Sequence, residues 1–250
     1  MAAEGTPVEF TTQFRVVDGT PVQVIRFTER VEILASTILN GGVTQTDTVL
    51  MMQVPKDYNS MDPLGDITRI AGILGLPQDT VGFMTAAEVE YVFNTTEHEY
   101  NGTKAFAAVT AGLSNQVVAG EVLENWEERH ALSLERSARL RHAGTINILA
   151  ISPVPLTVAG KVNAVICATE AKTAALNRLG YRETGTTSDA IGIVSPIGGG
   201  VDYAGTASDL GIALARSVRD GVAKALIIRD DFPEGTDNDT KLRIRAGFGL

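Results

Sequence analysis

Two short stretches of this sequence could do chemistry. One is Thr-Glu-Ala-Lys at 169–172, where Glu170 and Lys172 sit within a single turn of a long Ala-rich segment. The other is Thr-Gly-Thr-Thr-Ser-Asp at 184–189, which gathers four hydroxyls and a carboxylate around Gly185. Amide hydrolysis needs a base, a nucleophile or activated water, and donors for the developing oxyanion. Glu170 or Asp189 could be the base. Lys172 could stabilise charge or act as an alternative base, and Thr187 or Ser188 could attack or donate. The amides of Asn40, Asn115 and Asn147 could bind a carbonyl, since each side chain both donates and accepts. Each feature also has a plain reading. Glu170 could be a surface residue and Lys172 a structural ion pair. The 184–189 segment could be a turn in which Asp189 accepts backbone amides.

These residues need rigid elements to hold them. Ala143 to Ile151 reads as an apolar strand, Lys161 to Gly180 as a helix and Ala190 to Val194 as a second strand. At about 100° per residue, Val162, Val165, Thr169, Lys172, Leu176 and Leu179 form one stripe of that helix, with Glu170 and Cys167 on the neighbouring face. Lys172 therefore lies in a mostly apolar stripe, where an ammonium is costly to bury unless it is paired. Cys167 reads as a buried packing residue.

Upstream, Val8–Val17 and Val22–Phe27 read as a hairpin around Asp18-Gly19. A third strand runs from Val31 to Leu39 and ends at Asn40-Gly41-Gly42. That tripeptide is either a turn into the strand Thr46–Val54 or a close backbone approach to a ligand. Asp62-Pro63 opens a helix as cap and first residue. A strand near Val81, a helix from Thr85, a polar loop over 95–102 and a strand over 104–109 follow. Residues 121–142 are the most charged stretch, either a solvated surface helix or a lid. Ser208-Asp209 caps a helix running to about Ile228, and 230–250 reads as a polar tail. The fold class is α/β, with mixed β-sheet covered by helices, an N-terminal antiparallel hairpin and a single domain over residues 1–250.

Bulk properties narrow the classes. The 250 residues are 44% hydrophobic with a net charge of −9 and a pI near 4.9. That balance disfavours nucleic acid, which needs a basic face. No signal-like or membrane-length apolar run occurs. One cysteine allows no internal disulfide, and a cytoplasmic setting is expected. There is no Cys-x-x-Cys or His-Glu-x-x-His, and His98, His130 and His142 lie in polar segments, so no metal site is expected. Nor is there a Gly-x-Ser-x-Gly elbow or a phosphate loop ending in Gly-Lys-Ser/Thr.

Several strings, in order, resemble the adenosylcobinamide amidohydrolase family. They are Ser-Thr-Ile-Leu-Asn-Gly-Gly (36–42), Thr-Ala-Gly-Leu-Ser-Asn (110–115), Gly-Thr-Ile-Asn-Ile (144–148), Ala-Thr-Glu-Ala-Lys-Thr-Ala-Ala-Leu (168–176), Thr-Gly-Thr-Thr-Ser-Asp-Ala (184–190) and Tyr-Ala-Gly-Thr followed by Leu-Gly (203–211). Ser188 stands where the family string carries Thr, which keeps the hydroxyl. The charged stretch 121–142 is longer than the family pattern needs. The resemblance implies cleavage of the aminopropanol amide of a corrinoid, releasing adenosylcobyric acid. It also implies one site uniting Glu170, Lys172, Asp189, Thr187 and Ser188 with a binding set of Asn40, Gly41, Gly42, Ser114, Asn115, Thr145, Asn147, Gly185 and Thr186. No separate cofactor is expected, because cobalt would enter with the substrate. A non-catalytic corrinoid binder and a hydrolase of another amide or lactam are the competing readings, and homo-oligomerisation stays open.

Overall fold

The computed structural model describes residues 8–121, 131, 135 and 144–250. Its strands are β1 (Phe10–Val17), β2 (Thr20–Ala35), β3 (Gly42–Gln53), β4 (Val81–Thr85), β5 (Asn94–Tyr100), β6 (Thr103–Gly112), β7 (Gln116–Val117), β8 (Thr145–Ile151), β9 (Gly185–Thr186) and β10 (Ala190–Pro196). The helices are α1 (Pro63–Ile73), α2 (Val89–Val92), α3 (Val158–Leu179), α4 (Asp209–Ile227) and α5 (Asn238–Gly247). The charged stretch read as a surface helix or lid lies almost wholly outside the described residues.

Eight strands form one mixed sheet in the order β4-β3-β2-β10-β8-β6-β5, with β1 paired on β2. β10 runs parallel to β8 and β4 parallel to β3; the other pairs are antiparallel. The expected hairpin closes at Asp18-Gly19, where φ is 48° and 74°. Two positive φ values give the turn whose twist matches its strands. The sheet departs from expectation next. Val31 does not begin a new strand; it continues β2, whose register against β3 slips between Arg26 and Val31. The polar, exposed Thr28-Glu29-Arg30 lies at that slip. A bulge bends a strand without ending it.

The bend curls the first strands over the later ones. Ile25, Phe27, Met51 and Phe83 pack inside against Ala108, Leu149 and Ile151. The Phe10 ring meets Phe106 edge-on at 5.8 Å. Alternate residues of β8 face the other way: Ile146, Ile148 and Ala150 pack beneath α3 and α4. α3 presents Ala164, Ala168, Ala171 and Ala175 to that core, small residues at helical spacing that let a helix lie close. α1 covers Val22, Val24, Leu50 and Met52 on the first strands.

Caps set the helix starts. Asp62 accepts from Gly65 N, Thr157 from Gly160 N and Ser208 from Gly211 N. Two segments expected to be irregular are regular. Residues 95–100 form β5, returned to β6 by Asn101-Gly102 with φ of 48° and 78°. The tail contains α5, capped by Asp237 and tied back by Lys241 and Arg245 to Asp230. It buries no residue, so no apolar period announced it. The helix expected from Thr85 is reduced to α2. Among the described residues, no helix is long and apolar enough to cross a membrane.

Candidate functional site

Strand direction brings the candidate strings together. β8 and β10 are parallel, while β2 and β6 run against them. The first residues of β8 and β10 therefore share one sheet edge with the last residues of β2 and β6. The register places Gly112 opposite Thr145, Thr110 opposite Asn147, Ala190 opposite Asn147 and Gly192 opposite Ala35.

At this edge α3 delivers Lys172. Its Nζ lies 2.5 Å from Asp189 Oδ2, and both side chains are largely buried. The apolar stripe thus holds an ammonium because a carboxylate meets it there. Asp189 is tightly held in turn. Oδ2 also accepts from Thr186 N at 3.1 Å. Oδ1 accepts from Thr186 Oγ1 at 2.5 Å and from Ile146 N at 3.1 Å. Each carboxylate oxygen thus takes two hydrogen bonds, which fixes the acid and leaves it little capacity to abstract a proton. Gly185 makes the approach possible. A Cβ there would run into Asp189 Oδ2 and come within 2.5 Å of Lys172 Nζ.

A second knot joins the remaining strings. Thr145 Oγ1 donates to Gly144 O at 2.6 Å and lies 2.8 Å from Ser188 Oγ. Its one proton is used, so Ser188 is the donor in that pair. Asn115 Nδ2 donates to Thr187 Oγ1 at 2.7 Å, and Thr187 N to Asn115 O at 3.3 Å. Gly144 lets this happen: a Cβ there would strike Asn115 Oδ1 and lie 2.7 Å from Ser114 Oγ. Among the described residues, Asn115 Oδ1, Asn147 Oδ1 and Thr110 Oγ1 are buried without a partner. Each such atom costs roughly 1–3 kcal/mol unless a bound group satisfies it.

The candidate residues do not all meet. Lys172, Asp189, Thr186, Gly185, Thr187, Ser188, Thr145, Asn115 and Ser114 form one connected web. Asn147 lies on the same edge but is fully buried, its Nδ2 donating to Met84 O at 2.9 Å. Asn40 stands apart with its Nδ2 on the carbonyls of Gln78 and Thr80, each at 2.8 Å. With φ of 52° it shapes the β2–β3 turn, which Gly41 and Gly42 complete. Glu170 is exposed on α3. His98 pairs with Asp220 at 2.8 Å, on β5 and α4; His130 and His142 lie outside the described residues. Among the described residues, no three His, Cys, Asp or Glu side chains converge as a metal site would need.

Beside the ion pair runs an open groove of about 480 Å³ between α3 and the end of β2. Lys172 and Asp189 line it with Ser36, Thr169 and the apolar Leu34, Val162, Val165 and Ile191. Ser36 also bridges the strands, accepting from Ile191 N at 3.1 Å. The sequence reading did not single out Ser36 or Leu34 as lining residues. Their proximity to α3 depends on the β2–β10 pairing, for which no local signal exists.

A mixed sheet carrying an amine, a carboxylate, hydroxyls and amides at one edge is a scaffold suited to hydrolase chemistry. Comparison with known proteins makes this specific. Residues 7–232 match the family model described as adenosylcobinamide amidohydrolase. An adenosylcobinamide amidohydrolase of Methanosarcina mazei is 30% identical over 206 residues, covering 78% of this chain and 90% of that one. One of Halobacterium salinarum is 31% identical over 206 residues, covering 78% and 80%. An uncharacterised protein of Methanocaldococcus jannaschii is 39% identical over 188 residues, covering 70% and 71%. The chain belongs to the adenosylcobinamide amidohydrolase family.

Proposed function

We propose that the sheet edge around Lys172 hydrolyses the aminopropanol amide of adenosylcobinamide, giving adenosylcobyric acid and free aminopropanol in corrinoid salvage. Family membership supports the reaction. One observation carries the choice of site: a largely buried ammonium, held by a fully hydrogen-bonded carboxylate, lines an open groove. In amide hydrolysis water adds to the carbonyl carbon and negative charge develops on oxygen. The C–N bond then breaks and the amine departs with a proton that came from water. A fixed ammonium facing the groove stabilises that oxygen most when its charge is greatest, which lowers the barrier.

Asp189 and Thr186 act by holding Lys172, and Asn115 and Thr145 by holding the 186–189 loop. Thr187 and Ser188 are exposed and available to a bound substrate. Glu170 is exposed on α3 and does not line the groove, so we give it no part in the reaction. The chemistry needs no resident cofactor; the cobalt belongs to the substrate. We place the reaction in the cytoplasm, in keeping with a single cysteine that allows no internal disulfide.

Incubating the purified protein with adenosylcobinamide tests the reading. Release of aminopropanol with matching adenosylcobyric acid is expected. Tight binding without product would replace it with a corrinoid-binding role, in which the Lys172–Asp189 pair is purely structural.

A further inference from the structure

The groove beside Lys172 has a surface the reaction itself does not explain. Most of α3 turns alanines and leucines inward and polar residues outward, Lys161 and Lys172 being buried against carboxylate partners. One stripe departs from this. Val158, Val162 and Ile166 succeed one another at a spacing of four and are 54%, 48% and 54% exposed. Across the groove Leu34 is only half-buried, and its cross-strand partner Val43 is 50% exposed on the same face. Val165 and Ile191 close the floor. Scattered exposed valines mean little, but Leu34, Val162, Val165 and Ile191 line one groove together, with Val158, Ile166 and Val43 exposed beyond it, and such a clustered apolar surface marks a ligand site.

This apolar band is also polarised. Its apolar walls run along α3, and its polar lining, Ser36, Thr169, Lys172 and Asp189, gathers at the Lys172 end. Nearer the start of α3, Lys161 is fully buried outside this lining, its Nζ reaching Glu32 Oε1 at 2.8 Å and Leu156 O at 2.8 Å. Eleven residues of helix separate the two lysines, a distance of about 16 Å at 1.5 Å per residue.

From this geometry we infer that the groove seats the apolar edge of the corrin macrocycle, with the rim bearing the aminopropanol amide turned towards Lys172. The inference rests on the corrinoid reading of the site. A volume of about 480 Å³ takes one edge of a tetrapyrrole-sized ring and leaves its other face outside. Val162 and Val165 are then specificity-determining residues. They hold the large part of the substrate so that one of its many amides, and not another, lies at the ammonium.

Val162→Glu tests this, because an exposed helical position accepts Glu without loss of fold. A charge in the band should raise KM for adenosylcobinamide at least tenfold and leave kcat within about twofold. The dissociation constant from equilibrium titration, followed by the corrinoid's visible absorbance, should weaken equally. Ile228→Glu, at an exposed apolar position near the end of α4 and away from the groove, serves as the control and should bind like wild type. Unchanged KM and binding in Val162→Glu would overturn the proposal. So would a wild-type self-association that Val162→Glu abolishes while binding is unaffected, since the band would then face a second copy. If the wild-type protein binds adenosylcobinamide without releasing aminopropanol, the hydrolytic reading fails, and the titration still decides the groove.

Discussion

Gly185 carries no side chain because the Lys172–Asp189 pair occupies the space a Cβ would take. Gly185→Ala should therefore displace the pair. The expected cost is about 1–3 kcal/mol of stability, as for overpacking elsewhere, together with a fall in kcat. Thermal unfolding and steady-state kinetics on one preparation check both, and wild-type values for each would show that the close approach is not needed. The same scale explains which site residues the sequence made legible. Lys172 stood out because an ammonium on an apolar stripe needs a partner. That the partner is Asp189, and that Thr186 and Ile146 N complete its shell, depends on how the 184–189 loop folds back. Glu170 lies two residues from Lys172 in the sequence but does not line the groove. Two residues along a helix is about 200°, and the side chains diverge.

At the scale of elements, α3 both packs against the core and lines the groove. Its inner side meets α4 at Cys167, whose Sγ lies 3.1 Å from Gly211 O. Burial, aided by the negative charge of Glu170, pushes the Cys167 thiol up to about 11. Iodoacetamide at pH 8 should thus alkylate the native protein at least on the order of 10²-fold more slowly than the urea-unfolded chain. Comparable rates would mean that α3 and α4 separate readily. Elements were legible wherever they carried their own punctuation. Asp18-Gly19, Asp62-Pro63 and Ser208-Asp209 each mark an observed boundary. β5 was missed although Asn101-Gly102 is an equally good hairpin signal. Its residues are mostly polar, because an edge strand faces solvent along much of its length. α5 has no apolar period to announce it, because ion pairs, an Arg178–Phe248 stack and the half-buried Ile244 hold it and none of its residues is fully buried. It also lies beyond the residues matched by the family model.

At the scale of the molecule, strand order was the largest unknown, since no local pattern states that β2 pairs with β10. That pairing fixes the site. It sets Ser36 beside α3, and it lets Glu32 reach the buried Lys161 near the start of the same helix. The hydrogen bond from Lys161 holds the Glu32 carboxyl below its usual value. A carboxyl depressed in the folded state contributes stability above its unfolded pKa of about 4.3, and the contribution fades as pH falls through the lower folded value. Glu32→Gln should therefore be less stable than wild type at pH 7, with the gap closing below about pH 4. Denaturant unfolding at several pH values measures it; a gap that persists unchanged at pH 3 would assign the effect to packing.

The proposed hydrolysis depends on Lys172 supplying positive charge to the amide oxygen as water adds to the carbonyl carbon. The rate of aminopropanol release by Lys172→Ala tests this most directly, once circular dichroism and the unfolding midpoint show that the variant is folded. A loss of about 10²–10³ in kcat is predicted, the usual effect of removing one oxyanion donor, with binding of adenosylcobinamide largely kept. A folded variant releasing aminopropanol at the wild-type rate would contradict it.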